Sequence, residues 1–121
     1  MALSKTTQSL VSTASNLAAG TTVSLAFDTN YGVSGVAKIT NAGIGPTIAC
    51  DFIIEGSNDG GSNWFEWLRQ TSSASATVVS LFPFSLAIGN GGDFNKYRVK
   101  FTGNTGQSVT VQCDAMTTAT L

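Results

Sequence analysis

The sequence predicts an all-β fold, an antiparallel two-sheet sandwich, jelly-roll or immunoglobulin-like, of eight or nine strands. Three observations predict it. Short runs in which apolar residues alternate with small or polar ones are separated by turn clusters roughly every 8 to 12 residues. Ser, Thr and 13 Gly dominate the composition, favouring strands and turns over helix interiors. Each run is apolar on one side only, whereas strands of a parallel sheet would be apolar on both, so two sheets packed face to face are expected. The chain, residues 1–121, reads as one sandwich domain with residues 1–7 as an extended N-terminal arm.

The elements follow in order. Gln8 to Ala14 alternates weakly, and Asn16 to Gly20 reads as a turn. From Thr21 to Phe27, Val23, Leu25 and Phe27 point one way and Thr22, Ser24 and Ala26 the other, predicting a strand with the apolar trio inward. Asp28 to Gly32 is a turn cluster. Val33 to Thr40 is a strand with Val33, Ala37 and Ile39 on one face, and Asn41 to Pro46 ends it. Thr47 to Glu55 is the strongest strand, its inner face Ile48, Cys50, Phe52 and Ile54. Ser57 to Asn63 is a hairpin connection and Trp64 to Gln70 the return strand. Ala76 to Ile88 is apolar but contains Pro83, which cannot donate to a ladder, so two short strands meeting at a bend or an edge are expected. Gly89 to Asp93 is a loop. Tyr97, Val99 and Phe101 alternate with Lys96, Arg98 and Lys100 in the next strand, and Ser108 to Thr117 is the last.

Six Lys and Arg balance seven Asp and Glu, and His is absent. A charge of -1 argues against a nucleic-acid partner, which calls for a positive excess to neutralise phosphates. The lack of His removes the side chain best suited to proton transfer near neutrality and the commonest metal ligand, so neither an enzyme nor a cofactor or metal site is expected. No apolar run reaches bilayer-spanning length, and the N-terminus lacks a signal-peptide core, so the expectation is synthesis in the cytoplasm without secretion and no membrane partner.

The residues able to carry chemistry are few. Asp51 and Glu55 share a strand face about 13 Å apart, too far for a glycosidase pair, and read as a solvated face. Asp59 with Asp93 or Glu66 has no local feature that would bury it. Cys50 and Cys113 both take inward registers. They are either buried thiols, the reading that a chain without a signal peptide favours, or a disulfide. Lys96, Arg98 and Lys100 form a basic stripe, either a solubilising outer face or a dock for an acidic surface. On the return strand Phe65, Trp67 and Arg69 alternate with Trp64, Glu66 and Leu68, so whichever face is inward, aromatic surface is left outward. Phe65, Trp67 and Arg69 are the candidate contact patch.

The segment Ser57-Asn58-Asp59-Gly60-Gly61-Ser62-Asn63-Trp64 matches S-x-D-x-G-x-x-W and resembles the Asp-box hairpin of sialidases and other β-rich proteins. In such a staple, opened by Ser57, Asp59 would accept backbone N–H groups, Gly60 and Gly61 would take positive φ and Trp64 would fold back under the loop. With one box and two arginines, Arg69 and Arg98, the chain departs from the sialidase pattern, and the hairpin reads as structural. The run Phe52 to Trp67, FIIEGSNDGGSNWFEW, together with the low charge and the Ser, Thr and Gly content, resembles small β-sandwich structural proteins of tailed bacteriophage virions. The resemblance implies a non-enzymatic head decoration or cement protein, or a tail or neck accessory protein. Its implied partners are capsid or tail subunits and copies of itself, and its implied location is the virion. The alternative from the same aromatics is a carbohydrate-binding or adhesin module with a surface glycan as partner.

Overall fold

The computed structural model describes residues 3–27, 32–87 and 94–120. Eight strands run in the order β1 (Leu3–Asn16), β2 (Thr21–Val23), β3 (Gly32–Asn41), β4 (Asp51–Ser57), β5 (Phe65–Thr71), β6 (Val79–Ala87), β7 (Lys96–Thr102) and β8 (Val109–Thr120). They form two four-stranded sheets, β1-β8-β3-β6 and β2-β7-β4-β5, and every pairing is antiparallel. First strand pairs with last, second with seventh and third with sixth, so successive strands alternate between sheets except at the β4–β5 hairpin. This is the jelly-roll connectivity, which decides between the two topologies left open by the sequence. Among the described residues no helix is long and apolar enough to cross a membrane.

The alternation of the central strands does what the sequence requires. Val33, Ala37 and Ile39 of β3, Tyr97, Val99 and Phe101 of β7 and Val109, Val111, Cys113 and Ala115 of β8 are buried in one core. Phe52 of β4 is its centre. Its ring lies 5.5 Å from Phe101 in its own sheet and 5.6 and 6.1 Å from Phe84 and Phe82 of the opposite sheet. Pro83 sits in β6, an edge strand, within a single strand and not two; its missing N–H falls on the unpaired side.

Several expectations are corrected. The N-terminal arm is strand from Leu3 onward, continuous with the segment read as the first strand and paired with β8 from Leu3↔Thr120 to Asn16↔Val109. Val23 and Leu25 are exposed at 43% and 82%, the reverse of the predicted facing. Polar demand turns Val23 and Leu25 outward, while Phe27 packs against the core as expected. Thr22 donates to Oδ1 of the buried Asn16 at 2.6 Å, and the Ser24 hydroxyl accepts the Val99 N–H at 3.0 Å, which ends the ladder after three residues. Ile48 is exposed and joins only an isolated bridge to Thr105, so β4 begins at Asp51. The turn residues Asp28 to Tyr31 and the loop Gly89 to Asp93, with the carboxylate of Asp93, lie outside the described residues.

One end of the sandwich is closed by buried amides. Asn104 donates through Nδ2 to the carbonyls of Asn16, Leu17 and Gln107 at 3.0 to 3.3 Å, and its Oδ1 accepts from Asn16 Nδ2. Both residues are essentially inaccessible. The pair ties the β1–β2 connection to the β7–β8 connection, and truncating one partner strands the other away from water. Asn104→Ala is therefore expected to cost about 3 kcal/mol in urea unfolding, and a loss below about 1 kcal/mol would show that the amide pair is not holding the two loops together.

Candidate contact surfaces

The β4–β5 hairpin forms the staple that its motif implied. The Ser57 hydroxyl donates to Asp59 Oδ1 at 2.8 Å and its oxygen accepts the Gly61 N–H at 3.0 Å. Asp59 Oδ1 accepts the Asn63 N–H at 2.9 Å and Oδ2 accepts from Asn63 Nδ2 at 2.6 Å. Gly60 and Gly61 have φ of 73° and 98°, the left-handed region that Gly enters without strain. Trp64 lies against Gly61, 3.3 Å from where a Cβ would stand, and its ring carries the Arg98 guanidinium at 4.3 Å. These hydrogen bonds, those from Asn63 foremost, lower the Asp59 pKa from 3.8 to about 2. The carboxylate's acceptor capacity is spent on its own turn.

The return strand departs from simple alternation. Ile54 pairs with Leu68 and Glu55 with Glu66, so Trp67 is an extra residue with no partner in β4, a β-bulge. The bulge explains an ion pair that a regular strand forbids. Residues three apart normally face opposite sides, yet Arg69 binds Glu66 through Nε at 3.1 Å and Nη2 at 2.9 Å, and also pairs with Asp51. The contact patch is thereby split. Arg69, opposite Ile53, belongs to the outer face, whereas Leu68 packs on the core and Phe65 lies opposite Gly56.

Phe65 and Trp67 are exposed at 41% and 43% and converge on a third ring that strand alternation does not reveal. Phe94 meets Phe65 edge-on at 5.0 Å and Trp67 edge-on at 5.1 Å. It comes from the residues just before β7, on the far side of β4, and crosses over Gly56, where an added Cβ would fall 2.5 Å from its ring. A glycine inside a strong strand run is the signal that marks such a close approach. The three rings form an apolar ledge at the edge of the β2-β7-β4-β5 sheet.

The outer face of that sheet is an ion-pair lattice. Glu55 is buried at 8% exposure, not solvated, and is bound by Arg98 Nε at 2.8 Å and Lys100 Nζ at 3.4 Å. Asp51 and Glu66 share Arg69. The hydrogen bonds and charge of Arg69 hold Glu66 below the usual carboxylate range, which unfits it to hand over a proton near neutrality. Ile53, at 1% exposure, lies outside the core cluster and beneath its cross-strand partners Arg69 and Lys100, whose aliphatic stems cover it. The basic stripe is thus no open dock: Arg98 and Lys100 are committed to Glu55, and Lys96 is engaged as well.

Cys50 and Cys113 are free, buried thiols. Cys50 stands beside the backbone of Thr102 and Asn104 and Cys113 beside Tyr97, at opposite ends of β7. Neither sulfur is bonded, so the alternative of a bond between them is not realised. Burial pushes both thiols up to about 12, far from the thiolate needed for reactivity. Among the described residues no group of three or more His, Cys, Asp or Glu is placed to hold a metal ion.

No family model matches this chain, and no curated protein matches it in sequence. Solved structures match it in fold. A chain of infectious bursal disease virus, Gx strain, superposes with a TM-score of 0.62 at 10% identity, over 97% of this chain and 32% of the viral one. The K3 cleaved adhesin domain of Lys-gingipain from Porphyromonas gingivalis gives 0.57 at 12%, covering 87% and 72%. The SPBc2 prophage-derived protein YomS gives 0.50 at 13%, covering 97% and 96%. At these identities the likeness is one of fold.

Because the folded Asp59 pKa lies below its unfolded value, the staple's charge-dependent stability is full above about pH 4 and is lost as the pH falls toward about 2. Asp59→Asn is expected to melt below the parent at about pH 6, with the gap in melting temperature closing by about pH 2. A gap that stays constant over that interval would refute the pH linkage.

Proposed function

We propose that this chain is a non-enzymatic structural protein of a phage virion, seated in many copies on the assembled shell as a capsid decoration or cement protein. The observation that carries this reading is the ledge of Phe65, Trp67 and Phe94. On the outer face of that sheet Asp51, Glu55 and Glu66 are paired with cations, and the hairpin closes on itself. Among the described residues it is the ledge that keeps two large aromatic surfaces open, and clustered exposed aromatics with nothing reactive beside them are what a protein-binding anchor needs. Burial keeps both thiols protonated, and Asp59 and Glu66 are engaged by Asn63 and Arg69. Likeness of fold to a virus structure and to a prophage protein supports the same reading, and jelly rolls recur in viral shells. A cement protein acts by mass action, since whatever binds only the assembled state stabilises it.

Two other positions suit the same surface. A tail or neck accessory protein would use the ledge on a different subunit. An adhesin would stack the rings on sugar faces, a reading favoured by the fold likeness to the adhesin domain.

Particles purified from cells carrying the gene, decorated with a gold-labelled antibody against the chain, are expected to carry gold at regular positions on the head. Phe65→Ser with Trp67→Ser is expected to remove the gold while leaving a soluble, cooperatively melting domain. Gold confined to the tail would move the assignment to the accessory role. Particles without gold, together with glycan-array binding that the double substitution abolishes, would replace it with the adhesin reading.

A further inference from the structure

The outer face of the β1-β8-β3-β6 sheet is the opposite of the lattice on the other side of the molecule. Its side chains fall in cross-strand rows fixed by the register: Met116, Ser34 and Ser85; then Asp114, Val36 and Pro83; then Gln112, Lys38 and Leu81. Val36 is 43% exposed, Leu81 61% and Met116 40%. Shallow hollows flank the Ser34–Val36 ridge, one of about 330 Å³ toward β8 and one of about 620 Å³ toward β6. Among the described residues neither Lys38 nor Asp114 forms an ion pair; Asp114 accepts only from Gln112, at 2.8 Å. The chain thus satisfies its charges on one sheet and, on the other, leaves Lys38 and Asp114 unmatched, diagonal to each other across an apolar centre, with Lys5 a further cation on the edge strand β1.

We infer that this face is an isologous interface with a second copy of the chain. Lys38 lies directly opposite Gln112 and Asp114 directly opposite Val36, so the four residues mark the corners of a near-rectangle. A two-fold axis lying in the contact plane along the Val36–Gln112 diagonal carries each of the other two corners to within about 3 Å of the other's place, well inside the reach of a lysine side chain. It sets Lys38 over the partner's Asp114 and Asp114 over the partner's Lys38, with Val36 meeting its own copy on the axis. The same axis carries Leu81 toward the partner's Met116, so apolar residues bury against one another. The size is adequate. Four strands about 4.8 Å apart and some ten residues long present roughly 650 Å² in projection, near the ~800 Å² per partner of a stable interface. An acidic or basic protein surface would leave one of the two charges repelled; a second copy matches both. This surface is separate from the aromatic ledge, and the inference stands whether or not the ledge seats on a virion.

Sedimentation equilibrium of the full chain is expected to give twice the chain mass. Lys38→Glu and Asp114→Lys, both at surface positions of the sheet, should each keep the parent melting temperature and each weaken self-association at least about tenfold by placing like charges together. Mixing the two variants in equal amounts should restore association as a heterodimer. Across that mixed interface the acidic pair of the K38E chain, at positions 38 and 114, meets the basic pair of the D114K chain, so both contacts again join opposite charges. Val36→Asp should be monomeric. A monomeric parent at about 100 µM, a concentration at which an interface of this size is populated, single variants that associate like the parent, or a mixture that stays monomeric would each overturn the inference.

Discussion

The packing of Phe52 is the contact on which the sandwich depends. It stands in β4 but touches aromatic rings of both layers, Phe101 beside it and Phe82 and Phe84 across the core. A jelly roll joins its sheets by connections at the ends, and between those ends only side-chain packing holds the layers in register. A large ring wedged between an inner strand of one sheet and the edge strand of the other fixes how far apart they stand and which strands overlie. The edges β5 and β6 come together on the same side of the molecule for this reason, and the aromatic ledge inherits its position from that arrangement.

The two outer faces solve the problem of being wet in different ways. On the β4 side, cations lie over Ile53 with their stems and answer Asp51, Glu55 and Glu66 with their heads. Exposed pairs of this kind contribute little one at a time, but here they bury an isoleucine and hold the Trp64 ring under Arg98, so the hairpin staple and the ion lattice form one unit. On the β3 side the surface is hydroxyl and aliphatic, with little to engage Lys38 and Asp114 internally. The asymmetry separates a face whose charges pair within the chain from one on which Lys38 and Asp114 make no ion pair.

How much of this was legible in the sequence depended on whether a residue's facing was decided locally. Val33, Ala37, Ile39, Tyr97, Val99 and Phe101 lie in central strands where hydrophobic burial dominates, and their period of two read correctly. The Asp59 turn is self-contained, and its chemistry was readable from spacing alone. The segment Thr21 to Phe27 misled because a buried amide, Asn16, needs the Thr22 hydroxyl, a demand set by a residue earlier in the chain and by Asn104 far along it. Glu55 was placed in solvent because its partners Arg98 and Lys100 are joined to it only by the β4–β7 pairing. Phe94 was missed as a member of the ledge because the gap it spans, Gly56, acquires meaning only when strands on both sides of it are known. Arg69 was assigned to the aromatic face by an alternation that Trp67 interrupts.

The unpartnered slot at Trp67 has an evolutionary corollary. Since β5 holds one residue more than β4 requires, a single-codon deletion of Trp67 would close the bulge, leave Glu66 and Arg69 two residues apart on the same outer face and take the largest ring out of the ledge without touching a core residue. The exposed aromatic surface at this edge can therefore be lost or gained by an indel in one step, leaving the scaffold to diverge at its own pace.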